Sequence, residues 1–528
     1  MQEEFKIILF LCNWGPHVAY QTLQEQRADI PLEIQMVRIP CSGRISKALL
    51  FKPFEMGADG VILMGCSPGS CRYGTGTANA KENTEDTRQI LELLGLGKER
   101  LQLGNFLPDE PEALLAFLKA FTARIHQMGK SPIAAPSITW NVDQSVAQPD
   151  AVVGKHDVFA CQDCGKCTSA CPLALAGKSY SPRFVATEII AGRADTQQVR
   201  EMVNACLTCG TCYERCPSAV NFPEFIKEMR AYYNSREIIA MPAHGGFFQS
   251  IMRAMTSETL VPHRWQELPD KIRIAQRSRI LFFGGCAAYF DIFFRKYMQV
   301  QTRQIIDDSL RLLNFFDVVP MVLENERCCG HDLLWSGDRA NFIRLARLNA
   351  QAIADSGAEE LITACPECWH TLSSDYARYG VELPIKVTHM HDYLAREIGK
   401  GAVAFKPLAQ GAVTFQDACR QSRFNGQADL PRKLLKNMCQ NGTRLVDAQA
   451  ASVCCGNSAW TGCDAFSKAM QVQRLERAKQ SGSELMITAC PKCQIHLQCA
   501  MDDVVRGDVL QMEMMDLTSV IAKTIYWE

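Results

Sequence analysis

The sequence predicts a multidomain protein: an α/β doubly wound N-terminal domain, an all-α domain after it, and a duplicated α/β unit in the last half. Three observations lead there. At 528 residues the chain is longer than one hydrophobic core usually spans. From residue 5 to about 125, short apolar runs alternate with helical patterns. And SGAEELITACPECWHTL, at 356–372, returns 125 residues later as SGSELMITACPKCQIHL at 481–497. The boundaries read as a first domain over 1–126, a linker over 127–150, and domains over 151–270, 271–400 and 401–528.

The elements follow in order. KIILFLC, IQMVRIPC, GVILMGC and LQLGNFLP read as parallel strands separated by helices. Three of these runs end in Cys12, Cys41 and Cys66, and Cys71 follows in GCSPGSC. Carboxyl ends of parallel strands are where such sheets place ligands, so these four thiols are expected to converge. The segment after residue 127 is rich in Pro, Ser, Ala and Asn with weak periodicity, as a linker is. Beyond it, SPRFVATEIIAGR and FPEFIKEMRAYYNSRE have helical patterns around two cysteine runs. From RILFFGGC onward, runs ending in cysteine return (ELITAC, AVTFQDAC, ELMITAC) with helices between them.

Lys plus Arg total 56 against 57 Asp plus Glu, with no basic run of the kind that binds nucleic acid. The amino terminus MQEEFKIILFLCNWG is acidic where a secretory signal would be basic, and no apolar stretch reaches the ~20 residues a membrane span needs. A cytoplasmic protein with no membrane span is the expectation. Twenty-five cysteines are then the anomaly, because a reducing cytosol does not keep structural disulfides. Twenty-two fall into groups of four, eight and ten; Cys439, Cys463 and Cys499 are left over and read as buried thiols.

Cys161, Cys164, Cys167 and Cys171 have the C-x2-C-x2-C-x3-C-P spacing, and Cys206, Cys209, Cys212 and Cys216 repeat it. In two-cluster ferredoxins the fourth cysteine of each run ligates the other cluster. The expected sets are therefore Cys161, Cys164, Cys167 and Cys216 for one cubane 4Fe-4S cluster, and Cys206, Cys209, Cys212 and Cys171 for a second. Two such cubanes carry electrons without making bonds.

Chemistry calls for a less regular site. Each half of the duplicated unit offers a lone Cys, then Cys-Cys-Gly, then Cys-Pro-x-Cys: Cys286, Cys328, Cys329, Cys365 and Cys368 in the first, Cys419, Cys454, Cys455, Cys490 and Cys493 in the second. Five thiols exceed what a cubane takes, and adjacent cysteines cannot both meet one corner of it without strain. Irregular clusters are expected, and these ten are the candidate catalytic residues.

These repeats resemble the catalytic subunit of heterodisulfide reductase, whose paired CCG domains each hold a noncubane 4Fe-4S cluster on five cysteines. The helical domain resembles that enzyme's small ferredoxin-like subunit. QDACRQSR departs from the DPCH-like segment of relatives, with Arg420 after the cysteine. Residues 5–125 resemble the delta subunit of methyl-viologen-reducing hydrogenase through CNW at 12–14, CSGR at 41–44 and GCSPGSCRYGTGTANA at 65–80. That resemblance implies one 2Fe-2S cluster, with Gly15 standing where the family usually has a further cysteine.

The resemblance implies electrons arriving from a partner, either a flavin-containing heterodisulfide reductase-like subunit or a hydrogenase or other dehydrogenase. They would cross the cubanes and meet a small-molecule disulfide between the two noncubane clusters. The alternative is a relay that passes electrons to a separate dehydrogenase or quinone-linked module. His331, Trp335, His370 and His496 flank the motifs and read as packing or orienting groups rather than acids. No flavin or nucleotide fingerprint is present, since GTGTAN at 74–79 has the wrong glycine spacing.

Overall fold

A computed structural model describes residues 4–134, 146–266, 268–401, 403–408, 411–439, 443–446, 453–505 and 507–527. The described chain forms two compact units, one of 4–134 with 244–266, the other of 146–243 with 268–527. No helix among the described residues is long and apolar enough to cross a membrane.

In the first unit β1 (Ile7–Cys12), β2 (Ile34–Ile39), β3 (Gly60–Gly65) and β4 (Leu101–Asn105) make one parallel sheet in the order β2-β1-β3-β4. The central strands read as unbroken apolar runs because both their faces are covered, and every residue of β3 is buried. Helices Gly15–Glu25 and Pro111–Met128 pack together, as do Lys47–Glu55 and Gly76–Leu93.

The reading of 151–270 as one domain is corrected by residues 244–266, which pack in the first unit. Phe247 of the helix Phe247–Ala254 meets Phe51 edge-on at 5.6 Å, and Arg253 pairs with Glu55 at 2.6 Å. An apolar helix face demands a partner, but sequence proximity does not choose it. Of the linker expected over 127–150, residues 135–145 lie outside the described residues, and the helix Pro149–Lys155 has begun by its end.

The second unit opens with short helices and no strand among the described residues of 146–241. Its core is built around the long helix Phe222–Asn234, with Val185, Ile189, Val199 and Val203 packed there. Two parallel sheets follow. The first joins β5 (Ile280–Phe282), β6 (Glu360–Thr363) and β7 (Lys386–His389) in that order. The second joins β8 (Gly411–Phe415), β9 (Thr443–Val446), β10 (Ser483–Thr488) and β11 (Glu513–Asp516) in the order β11-β10-β8-β9. In the first half a single parallel bridge from Met321 to Leu281 occupies the place of β9.

Buried ion pairs tie the helical part to the first half. Lys227 lies between Glu224 at 2.6 Å and Asp375 at 3.3 Å. Arg230 donates to the carbonyls of Val203 at 3.1 Å and Trp335 at 2.7 Å.

Candidate functional site

In the first sheet β1 and β3 are neighbours and the connections leave them in opposite directions, so a crevice forms at their carboxyl ends. Cys12 closes β1 and Cys66 follows β3, with sulfurs 3.9 Å apart. Cys41, two residues past β2, is hydrogen-bonded to Cys71 and electrostatically in reach of Cys12. The four thiols therefore converge. Glycines make room for them: a Cβ on Gly76 would lie 2.7 Å from the Cys71 sulfur and 2.8 Å from that of Cys41. Burial pushes the Cys12 and Cys41 thiols up, whereas at Cys71 the N–H groups of Tyr73, Gly76 and Thr77 overcome burial and pull it down. A Cβ on Gly15 would lie 2.7 Å from the Phe106 carbonyl oxygen, so this position faces backbone and not the sulfurs.

The two ferredoxin-like runs fold alike. Gly165 and Gly210 take φ of 77° and 84°, and the residues two before them, Asp163 and Thr208, take 51° and 45°. Cys206, Cys209 and Cys212 line one cavity together with Cys171, the fourth cysteine of the other run. Cys167 is in electrostatic reach of Cys161 and of Cys212, which sets the two runs side by side. Cys161 and Cys216 are half-buried against the helical core, and Cys164 is exposed.

Cys365 and Cys490 follow β6 and β10 and cap the helices Pro366–His370 and Pro491–Met501 that carry Cys368 and Cys493; Cys286 and Cys419 cap the helical turns beyond β5 and β8, and Cys328, Cys329, Cys454 and Cys455 lie in loops. In the first half, hydrogen bonds run Cys286 to Cys328, Cys328 to Cys329, Cys329 to Cys368 and Cys368 to Cys365. In the second they run Cys454 to Cys455, Cys455 to Cys493 and Cys493 to Cys490, with Cys419 in electrostatic reach of Cys455. Two further contacts join the sets: Cys365 meets Cys490, and Cys454 meets Cys209 of the helical part. Ligating thiolates would not carry these protons; the contacts mark how near the sulfurs stand. Cys439 and Cys499 are only half-buried and Cys463 is exposed, which corrects their reading as buried thiols. Cys463 precedes the N-cap Asp464 of a surface helix, and Lys468 donates to the Cys499 sulfur at 3.3 Å.

Residues 7–129 match the family described as methyl-viologen-reducing hydrogenase, delta subunit; 157–220 match the 4Fe-4S dicluster domain; and 280–373 and 413–498 match the cysteine-rich domain twice. An iron-sulfur subunit of the F420-non-reducing hydrogenase from Methanococcus voltae is 32% identical over 141 residues, which are 27% of this chain and 96% of that protein. This chain belongs to the delta-subunit family, fused to a heterodisulfide reductase-like protein. The fused part is similar to a subunit of dihydromethanophenazine:CoB–CoM heterodisulfide reductase from Methanosarcina acetivorans, 25% identical over 403 residues, 70% of this chain and 94% of that protein. It is also similar to a subunit of fumarate reductase (CoM/CoB) from Methanothermobacter marburgensis, 27% identical over 383 residues, 70% of this chain and 73% of that protein. The fusion is an iron-sulfur oxidoreductase of the heterodisulfide reductase type.

Sequence reasoning missed the charged residues of this fusion that link its two five-cysteine sets. Lys492 stands between Cys490 and Cys493 and forms ion pairs with Asp332 and with Glu367, which stands between Cys365 and Cys368. Asp332 also pairs with His331 at 2.9 Å, and His331 receives a hydrogen bond from Arg420 at 3.0 Å. Arg420 donates to the Thr208 carbonyl at 2.8 Å and stacks 3.8 Å over Trp335, so its guanidinium is already engaged and is 2% exposed. The unlike residues at the variable position of the two Cys-Pro-x-Cys motifs were the available signal. His496 lies 3.3 Å from the Cys455 sulfur, and burial pulls it down to about 3, so it is neutral. His370 bonds Asn425 at 3.1 Å and Trp335 donates to Asp375 at 3.3 Å, packing roles in both cases.

Proposed function

We propose that the fusion is the iron-sulfur component of a complex that reduces a small-molecule disulfide. The cysteines of the described sites suit clusters in number and softness: four thiols in the first unit, eight in the helical part and five in each half of the duplicated unit. On this reading Cys12, Cys41, Cys66 and Cys71 would hold a 2Fe-2S cluster, the two runs would hold two cubanes with Cys171 and Cys216 exchanged, and the five-cysteine sets would hold noncubane 4Fe-4S clusters. Such clusters supply one-electron carriers, and two placed side by side supply the electron pair that cleaving a disulfide consumes.

The observation that carries the reading is the contact of Cys365 with Cys490, which brings the two sets edge to edge. A disulfide lying across that contact could present one sulfur to each half. Cys454 beside Cys209 puts the second set next to the helical part. Buried Lys492 and half-buried Glu367 hold the two motifs to one another by charge. The hydrogenase subunit among the relatives points to a hydrogenase as the donor, engaging the N-terminal domain, and a flavoprotein partner is the other candidate that the sequence resemblance implies.

The test is the intact protein, purified without oxygen and given reduced viologen with a low-molecular-weight disulfide. Thiol release at a steady rate, with about eighteen irons per chain, is the expected result. Full iron without thiol release would leave a relay of electrons to a separate acceptor.

A further inference from the structure

A polar cleft in the second unit lies between the helix Thr302–Phe315 of the first half and the helix Leu517–Thr524 of the second. Its buried lining includes Gln494 and Asp516. Asp516 ends β11 in register with Thr488 of β10, two residues before Cys490. Its Oδ1 accepts from the Thr518 N–H at 2.8 Å, while Oδ2 has no hydrogen-bond partner among the described residues although the residue is only 2% exposed. Gln494, directly after Cys493, is 6% exposed and its Oε1 is likewise without a partner. Two buried acceptors without hydrogen bonds beside one polar cleft are costly unless water reaches them.

We propose that this cleft is a water-filled proton entry to the second five-cysteine set, and that Asp516 is the residue that passes the proton inward. The proposal rests on the disulfide-reducing reading. Cleaving R–S–S–R′ consumes two electrons and two protons and releases RSH and R′SH. The electrons come from the flavoprotein or hydrogenase partner; Asp516 as the acid gives a proton to a departing thiolate, and cleft water restores it before the second transfer.

The surroundings suit that task. Burial pushes Asp516 up to about 7 against the hydrogen bond from the Thr518 N–H, with Cys490 and Asp308 adding to the rise. The cations of the cleft are engaged elsewhere: Arg303 with Asp307 at 2.9 Å, Arg311 with Asp308 at 3.3 Å and Lys523 with Glu513 at 3.3 Å. Lys406 stands over the Tyr526 ring at 5.2 Å, and Asp291 is held by the Thr302 N–H at 2.8 Å. No ion pair to Asp516 forms among the described residues. Negative charge added at the neighbouring cysteines raises its affinity for a proton further.

The test is a redox titration of the intact, cluster-loaded protein followed by electron paramagnetic resonance from about pH 6 to about pH 9, together with the pH profile of thiol release. Expected for the wild type is a potential that falls as pH rises through neutrality, because reduction takes up a proton. Asp516→Asn keeps the helix cap, since Asn caps as well as Asp. It is expected to lose that slope and to release thiol on the order of a hundredfold more slowly. Asp516→Glu is expected to restore both. A wild-type potential that is flat with pH, or an Asp516→Asn protein with an unchanged slope, overturns the proposal whether or not that variant folds well. A wild type that shows the slope, lost in the Asn variant, but releases no thiol upholds the proton entry and overturns the disulfide reading.

Discussion

Gly76 shows how tightly single residues are specified. Its α-carbon stands where any side chain would press on two sulfurs, and Gly43 abuts it from the neighbouring loop. Gly76→Ala is expected to cost about 1–3 kcal/mol of overpacking, released by pushing Cys41 and Cys71 apart. The variant should therefore bind about two fewer irons per chain than wild type while the rest of its iron stays bound, which iron analysis and visible absorption would show. Arg420 is the opposite case, a residue visible in the sequence only as a departure from relatives. Its side chain joins Thr208, His331 and Trp335 in the interior, a role that no spacing rule contains.

At the scale of elements, strands that end in cysteine were legible because a parallel sheet places its ligands at carboxyl ends. Two π-helical turns were not: Thr371–Asp375 follows the first Cys-Pro-x-Cys helix, and Arg420–Phe424 follows Cys419. Such turns insert a residue without changing the hydrophobic pattern, and they commonly occur at functional sites. Here they aim Asp375 at Trp335 and Arg420 at His331. The pairing of β6 with β7 depends on Glu360, which accepts from Lys386 at 3.1 Å, Thr388 at 2.6 Å and Arg396 at 3.2 Å. Burial opposes its charge, but these bonds hold Glu360 down at about 2. Its stabilisation is thus complete above the ordinary glutamate value of 4.5 and is lost as pH falls through about 2. Glu360→Gln should melt below wild type near neutrality, and the gap between the two melting temperatures should close as the solution is acidified.

For the whole molecule, the chain order and the packing order differ. Phe247 lies beyond both ferredoxin-like runs yet is fully buried against Phe51 of the first unit. Phe247→Ala should cost about 3–5 kcal/mol, and the loss should appear in the first unit. Protease digestion is expected to open residues 4–134 while the second unit keeps its brown colour; equal resistance of both proteins would count against this packing. The sequence by itself determined the metal chemistry, because cysteine spacing is set by the local geometry that cluster ligation demands, and it determined the duplication, because both halves keep that spacing. Only the tertiary structure decided which sets are neighbours. Cys365 beside Cys490, Cys454 beside Cys209 and Lys492 across from Glu367 and Asp332 are contacts between residues 125 to 245 positions apart. Such pairs leave no periodicity along the chain. They exist because separate apolar faces are buried together, and the charged seam at the Cys-Pro-x-Cys motifs follows from that packing.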